Sequence, residues 1–387
     1  MASFILTGFS STPRNLAGSD VGYVGPSGEL VVTNNQPIFI ASGTVTLTIL
    51  GTVAVLGNNG FSGAVVGQGD TFDMLIGAGG SVSSPGTAIF SLCDVASNVN
   101  NAGTVHSQAT GILADSLEGG AFTLINSGTV LGDQNAVRGG LGLGTVDIFN
   151  TGTLTGVEIG IDLFNTSATS SFYLRNHGTI DGGAFAIRGS GGTDSIINTG
   201  TIGNDVTLGT GDDLFRNKSA GFVAGAVDGG AGKDVLSGAA ADDVFLGGGG
   251  ADVLRGRGGD DDLSGGAFTD TLYGGRGEDI IDGGGGADLI NAGYGDDTVT
   301  GGGGADSFVI IRNAGHDVIT DFQNGTDVID ISAFGLRPAD YATVVSPALS
   351  NAGNGATALD LTALGGSGSL LVEGLAFAQA DASDFVL

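Results

Sequence analysis

The chain has one cysteine, no tryptophan, six prolines, three histidines and 12 basic residues among 387. Each scarcity removes a class of protein. A lone Cys93 forms no intramolecular disulfide, so covalent stapling does not hold the fold. With 41 acidic residues against 12 basic ones the formal charge is −29, which makes nucleic acid and anionic membrane poor partners and cations good ones. Residues 1–20 lack a basic start and a long apolar core, so no cleavable signal peptide is expected. The uncharged stretch 38–57 has membrane-spanning length. Its segment Thr44-Val45-Thr46-Leu47-Thr48-Ile49 alternates with period two and is β-branched, so it reads as strand and no transmembrane segment is expected.

What the chain has in excess is glycine, 76 residues, without the Gly-X-Y period of collagen. A 41% hydrophobic content is too high for a disordered chain, and the combination points to many short strands joined by tight turns. Asp greatly outnumbers Glu and clusters in one region, the pattern that oxygen-ligand sites for Ca²⁺ require.

Two internal periods organise the sequence. The first is Asn-x-Gly-Thr-(Val/Leu/Ile), starting at Asn101, Asn126, Asn150, Asn176 and Asn198, with steps of 25, 24, 26 and 22. Eleven residues after each of the first four asparagines comes an apolar residue: Ile112, Val137, Ile161 and Ile187. A degenerate copy starts at Ala78, with Ile89 at the same offset. A constant offset beside a variable remainder is the behaviour of a solenoid coil with three short strands, hence a right-handed parallel β-helix. The asparagine belongs at a corner, bonded to the coils above and below and in a place where left-handed backbone is tolerated, and the glycine two positions on frees the turn. Residues 40–205 resemble the β-helical passenger domains of bacterial adhesins and exoproteins, which implies surface exposure.

The second period is nine residues. From Gly229 to Val309 nine consecutive nonapeptides carry Asp at the sixth position: Asp234, Asp243, Asp252, Asp261, Asp270, Asp279, Asp288, Asp297 and Asp306. The eighth is always large and apolar: Leu236, Phe245, Leu254, Leu263, Leu272, Ile281, Ile290, Val299 and Phe308. Glycines recur at the second and fourth positions: Gly230, Gly232, Gly248, Gly250, Gly259, Gly266, Gly275, Gly277, Gly284, Gly286, Gly293, Gly295, Gly302 and Gly304. Ala239 and Arg257 replace the second-position glycine, and Ala241 and Phe268 the fourth, which suggests weaker sites there.

This motif is similar to the G-G-x-G-x-D-x-U-x repeat of the RTX (repeats-in-toxin) calcium-binding proteins. The resemblance implies a parallel β-roll continuing from the β-helix, in an all-β fold. Each glycine-rich half is a turn, each x-U-x half is a strand, and two nonapeptides complete a coil. The aspartates then form two columns, Asp234–Asp252–Asp270–Asp288–Asp306 and Asp243–Asp261–Asp279–Asp297, with about seven candidate Ca²⁺ sites between successive members, completed by backbone carbonyls. Without metal, carboxylates ~5 Å apart repel by roughly 3 kcal/mol per pair at an effective dielectric of ~20. With each site tenfold above its Kd, linkage stabilises the fold by ~1.4 kcal/mol per site, on the order of 10 kcal/mol in all. Extracellular calcium modules have Kd near ~10⁻⁴ to 10⁻³ M, so folding would follow export. A degenerate nonapeptide at 208–216 adds Asp213 as a further candidate ligand, and another copy spans 189–197.

Residues 317–334 look like the segment that closes the roll in serralysin-type secreted proteins, with Asp321, Asp327 and Asp330 as further candidate ligands. The ending Ala382-Ser383-Asp384-Phe385-Val386-Leu387 resembles an uncleaved C-terminal signal for type I secretion, which implies export by that machinery from a Gram-negative bacterium. The organisation expected is a cap with the first coils at 1–75, β-helix at 76–207, RTX roll at 208–309, and closing cap with secretion signal at 310–387.

Catalytic signatures are missing. No H-E-x-x-H, G-x-S-x-G or G-x-x-x-x-G-K-(S/T) occurs, and His106, His177 and His316 read as surface or turn residues. A polysaccharide-modifying site on the β-helix would draw on Asp147, Glu158, Asp162 or Asp181 with Arg138, Arg175 or Arg188. Arg175 and Arg188 are 13 residues apart, less than one coil, so no aligned basic-acidic cluster is expected. The acidic, cysteine-poor composition resembles surface-layer proteins, which implies a non-enzymatic chain whose main partner is itself. The alternative is a secreted protein directed at cell-surface polysaccharide, either an adhesin or a polysaccharide-modifying lyase or epimerase, in which the roll serves for export and folding.

Overall fold

The computed structural model describes residues 3–6, 9–10, 15–17, 21–25, 28–32, 38–41, 44–55, 64–116, 119–140, 142–163 and 170–387. Part of the expected N-terminal cap at 1–75 lies outside these. The architecture is nearly all β, and its helical turns all fall between Ser332 and Asp384 among the described residues. No helix there is long and apolar enough to cross a membrane, and the stretch that begins at Ile38 forms strands Ile38–Ala41, Thr44–Ile49 and Thr52–Val55. The chain divides into two compact units, one of residues 1–215 with 221–225 and one of residues 216–220 with 226–387.

The first unit is a parallel solenoid with three strands per coil. One coil is Ala121–Asn126, Thr129–Gly132 and Asn135–Gly139, and each strand pairs in parallel with its equivalent in the next coil: Thr145–Asn150, Thr153–Gly156 and Ile159–Asp162. Alternation dictates the core: in Ala121–Asn126, Phe122, Leu124 and Asn126 point inward and are buried. Burying such a Phe or Leu stabilises the fold by ~1.5–3 kcal/mol, and every coil repeats the contribution. The constant offset of eleven appears as one buried column, Ile89, Ile112, Val137, Ile161 and Ile187, each in register with the next.

Asn101, Asn126, Asn150, Asn176 and Asn198 form a fully buried ladder in which each Nδ2 donates to the Oδ1 of the next at 2.8 Å. Two details of the sequence reading need correction. None of these asparagines has a left-handed backbone, nor do the glycines two positions on. Those glycines are required by close approach instead, because a Cβ on Gly128, Gly152 or Gly178 would lie 2.0–2.1 Å from the carbonyl oxygen of the equivalent glycine one coil earlier. The degenerate start at Ala78 is also out of register: Asn101 pairs with Ile76 while Thr104 pairs with Ser81. The corner after Ile76 is therefore two residues longer, and the ladder has no member before Asn101 in that coil.

The second unit is the roll. Strands 18 residues apart pair in parallel, and the eighth-position residues from Leu236 to Phe308 are all buried. Strands do not stop where the glycines begin: Asp262–Ala267, Thr271–Arg276 and Ile280–Gly285 each run three residues into the glycine-rich half. Glycine carries no side chain to disturb the ladder, so Gly248, Gly266 and Gly284 stay paired before the chain turns.

Closure also differs from expectation. Gly315–Ile319 and Val328–Asp330 are themselves strands of the last coil. The chain beyond covers them: Gly368–Val372 pairs in parallel with the first and Phe385–Val386 with the second. Gly368–Val372 also continues into an antiparallel meander with Ala356–Asp360 and Leu349–Gly353. This converts an open parallel edge, which would invite pairing with another chain, into a covered one. The carboxyl-terminal residues read as a secretion signal are thus part of this cover, with Asp384 and Phe385 buried.

Candidate metal columns

The nonapeptide aspartates are among the most buried charged groups in the protein, none more than 4% exposed. Their order comes from one repeated bond: the backbone N–H of each donates to the Oδ1 of its equivalent one coil on. Asp234 donates to Asp252 at 2.8 Å, Asp252 to Asp270 at 2.7 Å, Asp270 to Asp288 at 2.8 Å and Asp288 to Asp306 at 2.9 Å. On the opposite column Asp243 donates to Asp261 at 2.8 Å, Asp261 to Asp279 at 2.9 Å and Asp279 to Asp297 at 2.9 Å.

The second oxygen is left over. Oδ2 of Asp252, Asp261, Asp270, Asp279, Asp288, Asp297 and Asp306 is buried with no hydrogen-bond partner. A buried carboxylate oxygen without a partner is costly, and desolvation pushes the pKa of these groups up, to about 7 for Asp261 and Asp270 and to about 6 for Asp297 and Asp306. Beside each of these Oδ2 atoms except that of Asp297, where Ala292 stands instead, the first-position glycine leaves out the Cβ that would crowd it. A Cβ on Gly256 would lie 2.0 Å from Asp261 Oδ2, one on Gly274 2.3 Å from Asp279 Oδ2, and one on Gly265 2.6 Å from Asp270 Oδ2. Main-chain carbonyls line the same space: that Cβ on Gly265 would be 2.7 Å from the carbonyl oxygen of Gly283, and one on Gly274 2.4 Å from that of Ala292.

An all-oxygen cradle built from an orphaned carboxylate and main-chain carbonyls fits a hard divalent cation. Among the described residues no three His, Cys, Asp or Glu side chains converge. Carbonyls must therefore complete any coordination shell, and this is the use of the glycine-rich backbone. All the second- and fourth-position glycines named from the sequence have positive φ, from 86° at Gly302 to 159° at Gly286. Of their replacements, Arg257 and Phe268 adopt the same left-handed region at φ 82° and 79°, whereas Ala239 and Ala241 do not, so the turn before Asp243 takes a different path.

The structure extends the columns past the strict repeat. Asp297 donates its N–H to Asp317 Oδ1 at 3.2 Å, across 20 residues, and Asp306 to Asp327 Oδ1 at 3.0 Å, across 21. Asp317 was not singled out from the sequence because the spacing breaks nine-residue phase just there; the signal was Gly315-His316-Asp317, a remnant of G-x-D. Asp321 sits elsewhere, with its two oxygens accepting the N–H groups of Gly301 and Gly302, both at 2.8 Å. Asp330 lies outside the columns and caps Ser332 N–H at 2.8 Å. Upstream, Asp194 N–H donates to Asp213 Oδ1 at 2.7 Å, so the same ladder bond already occurs in the first unit. The first-position glycines beside Oδ2 were also missed, because the motif marks them as turn formers while their role is to leave room.

The solenoid carboxylates are dispersed. Glu158 and Asp181 are exposed, while Asp162 is buried between Arg188, which reaches both its oxygens at 3.1 and 2.9 Å, and Arg138 at 3.9 Å. Arg138, Asp162 and Arg188 occupy one register position in three successive coils. An aligned basic-acidic stack therefore exists, contrary to the sequence reading: comparing Arg175 with Arg188 compared two different strands. Asp147 and Arg175 form a separate exposed pair at 3.5 Å beside a cavity of about 200 Å³ that Tyr173 and Ser195 also line. The three histidines are exposed, and His177 and His316 bond Thr199 and Ser369.

Comparison with protein families matches the RTX calcium-binding nonapeptide repeat (four copies) at residues 227–254, 255–290 and 282–309. No curated protein matches the chain. Among solved structures, the chain is similar to the AlgE6R3 subunit of the Azotobacter vinelandii mannuronan C5-epimerase, determined in solution. The two share 33% identity over 33% of this chain and 78% of that one, with a TM-score of 0.28.

Proposed function

We infer that this chain, which belongs to the RTX calcium-binding repeat proteins through residues 227–309, is a secreted structural protein that folds on calcium outside the cell and assembles with itself in a surface layer or extracellular matrix. The single observation that carries the calcium step is the set of buried Oδ2 atoms without partners, from Asp252 to Asp306. Seven such groups resist ionisation together because each is buried, and a divalent cation between coils neutralises two carboxylates at once. Asp234, Asp243, Asp252, Asp261, Asp270, Asp279, Asp288, Asp297 and Asp306 are the proposed side-chain ligands, with Asp317 and Asp327 ending the two columns. Because ligands and fold arise together, binding free energy is folding free energy.

Residues 310–387 serve in this reading as the cover of the roll and the address for type I secretion, the chain crossing unfolded where calcium is scarce. The first unit is held by its neutral asparagine ladder. Electron microscopy of the full chain in millimolar calcium and in chelator tests it: ordered sheets or filaments that vanish on chelation are expected, and monodisperse particles in calcium overturn the assembly step.

A second reading, a polysaccharide-directed protein, draws support from the exposed Asp147–Arg175 pair beside Tyr173. An aromatic face beside paired planar polar groups suits a sugar ring. Retention of the chain on a polysaccharide column, lost in Tyr173→Ala, would favour it.

A further inference from the structure

Strands alternate, so the first strand of each three-strand coil turns half its side chains outward, and the parallel register stacks them in columns. Asp73, Asn98, Thr123, Asp147, Tyr173 and Ser195 form one such column, and every member offers a hydrogen-bonding group. Leu75, Asn100, Ile125, Phe149, Arg175 and Ile197 form the column beside it. That second column is apolar except for Asn100 and Arg175, and its Leu75 and Ile125 are 40% and 43% exposed.

The two columns line two cavities that lie end to end. One of about 350 Å³ is lined by Asp73, Leu75, Asn98, Asn100, Thr123 and Ile125, and the one of about 200 Å³ beside Asp147, Tyr173 and Arg175 begins one coil on. Six stacked strands ~4.8 Å apart make a groove of roughly 24 Å along the solenoid axis. Its polar groups are already held in place. Asn98 Nδ2 donates to Asp73 Oδ1 at 2.7 Å. Arg175 lies 3.5 Å from Asp147 and 5.7 Å over the Phe149 ring, and His177 meets the same ring edge-on at 5.4 Å. Side chains fixed in advance lose little freedom when a ligand arrives.

We propose that this groove binds a linear, uncharged polysaccharide laid along the solenoid axis, an inference that rests on the polysaccharide-directed reading and names its ligand. Repetition, main-chain pairing and charge identify the occupant. The groove repeats once per coil, and an extended chain of sugar rings repeats likewise, offering hydroxyls to the polar column and C–H faces to the apolar one. An extended peptide would need free main-chain partners, whereas the N–H and C=O groups of this sheet are paired between coils. Asp73 and Asp147 against Arg175 leave the two columns with one formal negative charge. The outward column on either side carries no carboxylate, running from Thr71 through Ala96, Ala121 and Thr145 to Ser171 on one and from Ala102 through Ser127 and Thr151 to His177 on the other. A polyanion would find a single arginine here, in a chain of net charge −29.

The test is affinity electrophoresis of the full chain in calcium, through gels holding soluble linear glucans, mannans, xylans and galactans or the sulfated derivatives of the same chains. The wild type is expected to be retarded by an uncharged chain and less by its sulfated derivative. Asn98→Ala and Tyr173→Ala, three coils apart, each weaken that retardation by at least about tenfold, while substitution of the exposed Glu158 by Gln, outside the groove, leaves it unchanged. Calorimetry of the wild type with oligosaccharides of the retained chain adds a readout that needs no variant: affinity rises up to about five rings, the span of the groove, and then levels. Wild-type retardation in either groove variant, stronger retardation by the sulfated chains, or an affinity already complete with two rings overturns this assignment and leaves the polysaccharide reading standing. Loss of self-association in the groove variants, read by sedimentation, makes a second copy the occupant and overturns the assignment as well. A wild type that no polysaccharide retards overturns the polysaccharide reading and this inference with it.

Discussion

The two units solve one problem with side chains that differ by a single group. In the first, asparagines one coil apart stack in a buried column; in the second, aspartates do. An amide is both donor and acceptor, so Asn126 gives a hydrogen to Asn150 and receives one from Asn101, and the ladder closes on itself. A carboxylate only accepts. Its Oδ1 takes the N–H from the preceding coil and its Oδ2 finds nothing. The asparagine column is complete as protein, while the aspartate column is complete only with cations, and the difference converts a static solenoid into a conditional one.

The strongest way to break this comparison is to remove calcium. Chelation is expected to unfold residues 226–387 and leave the three-strand coils of the first unit intact, a difference on the order of 10 kcal/mol in the second unit. Hydrogen exchange with and without chelator reads it directly: slow amides in strands such as Thr145–Asn150 and fast ones in Thr271–Arg276 are expected, and equal protection in both would refute the distinction.

Exchanging the two chemistries should give a smaller effect. Asn150→Asp replaces a donor by a charged acceptor that faces the carbonyl oxygens of Gly152 and Thr179, at a cost of about 3–5 kcal/mol. Asp270→Asn removes a proposed ligand from two steps of its column, a loss of roughly 3 kcal/mol of calcium-linked stability. It also lets the metal-free roll tolerate that position. Calorimetric titration should show fewer ions bound.

Smallest is the response to pH. Burial raises the carboxylates of Asp261 and Asp270 to about 7 and those of Asp297 and Asp306 to about 6. With folded values above unfolded ones, the metal-free roll binds more protons folded than unfolded. Its stability is therefore greatest near pH 4, where the unfolded carboxylates titrate, and is lost as pH rises through 6 to 7. In chelator, circular dichroism of the second unit should gain β signal on going from pH 8 to 5, and the asparagine ladder should show no such dependence. With calcium present the trend is weaker, since protons and metal compete for the same oxygens.

Much of this was legible in the chain. Nine-residue phase with an aspartate at the sixth position and a large apolar residue at the eighth implies a coil with one inward side chain per strand, and Leu236 to Phe308 are buried accordingly. The fixed offset from Asn126 to Val137 likewise became a register column. These features are periodic, and a parallel stack places equivalent residues one above the other without further information. What stayed hidden depends on distances between chain segments that no period encodes. Gly256 and Gly265 matter because Asp261 and Asp270 lean toward them. Asp317 joins its column across 20 residues where the phase has already broken, and Arg138 and Arg188 meet Asp162 through variable loops. The closing meander pairs Gly368–Val372 with a strand more than fifty residues earlier. Sequence alone determined which residues repeat and so which ones stack, because period and hydrogen-bond spacing are local. Only the tertiary structure decided which oxygen is left unpartnered and which glycine stands beside it, because those follow from how successive coils approach one another.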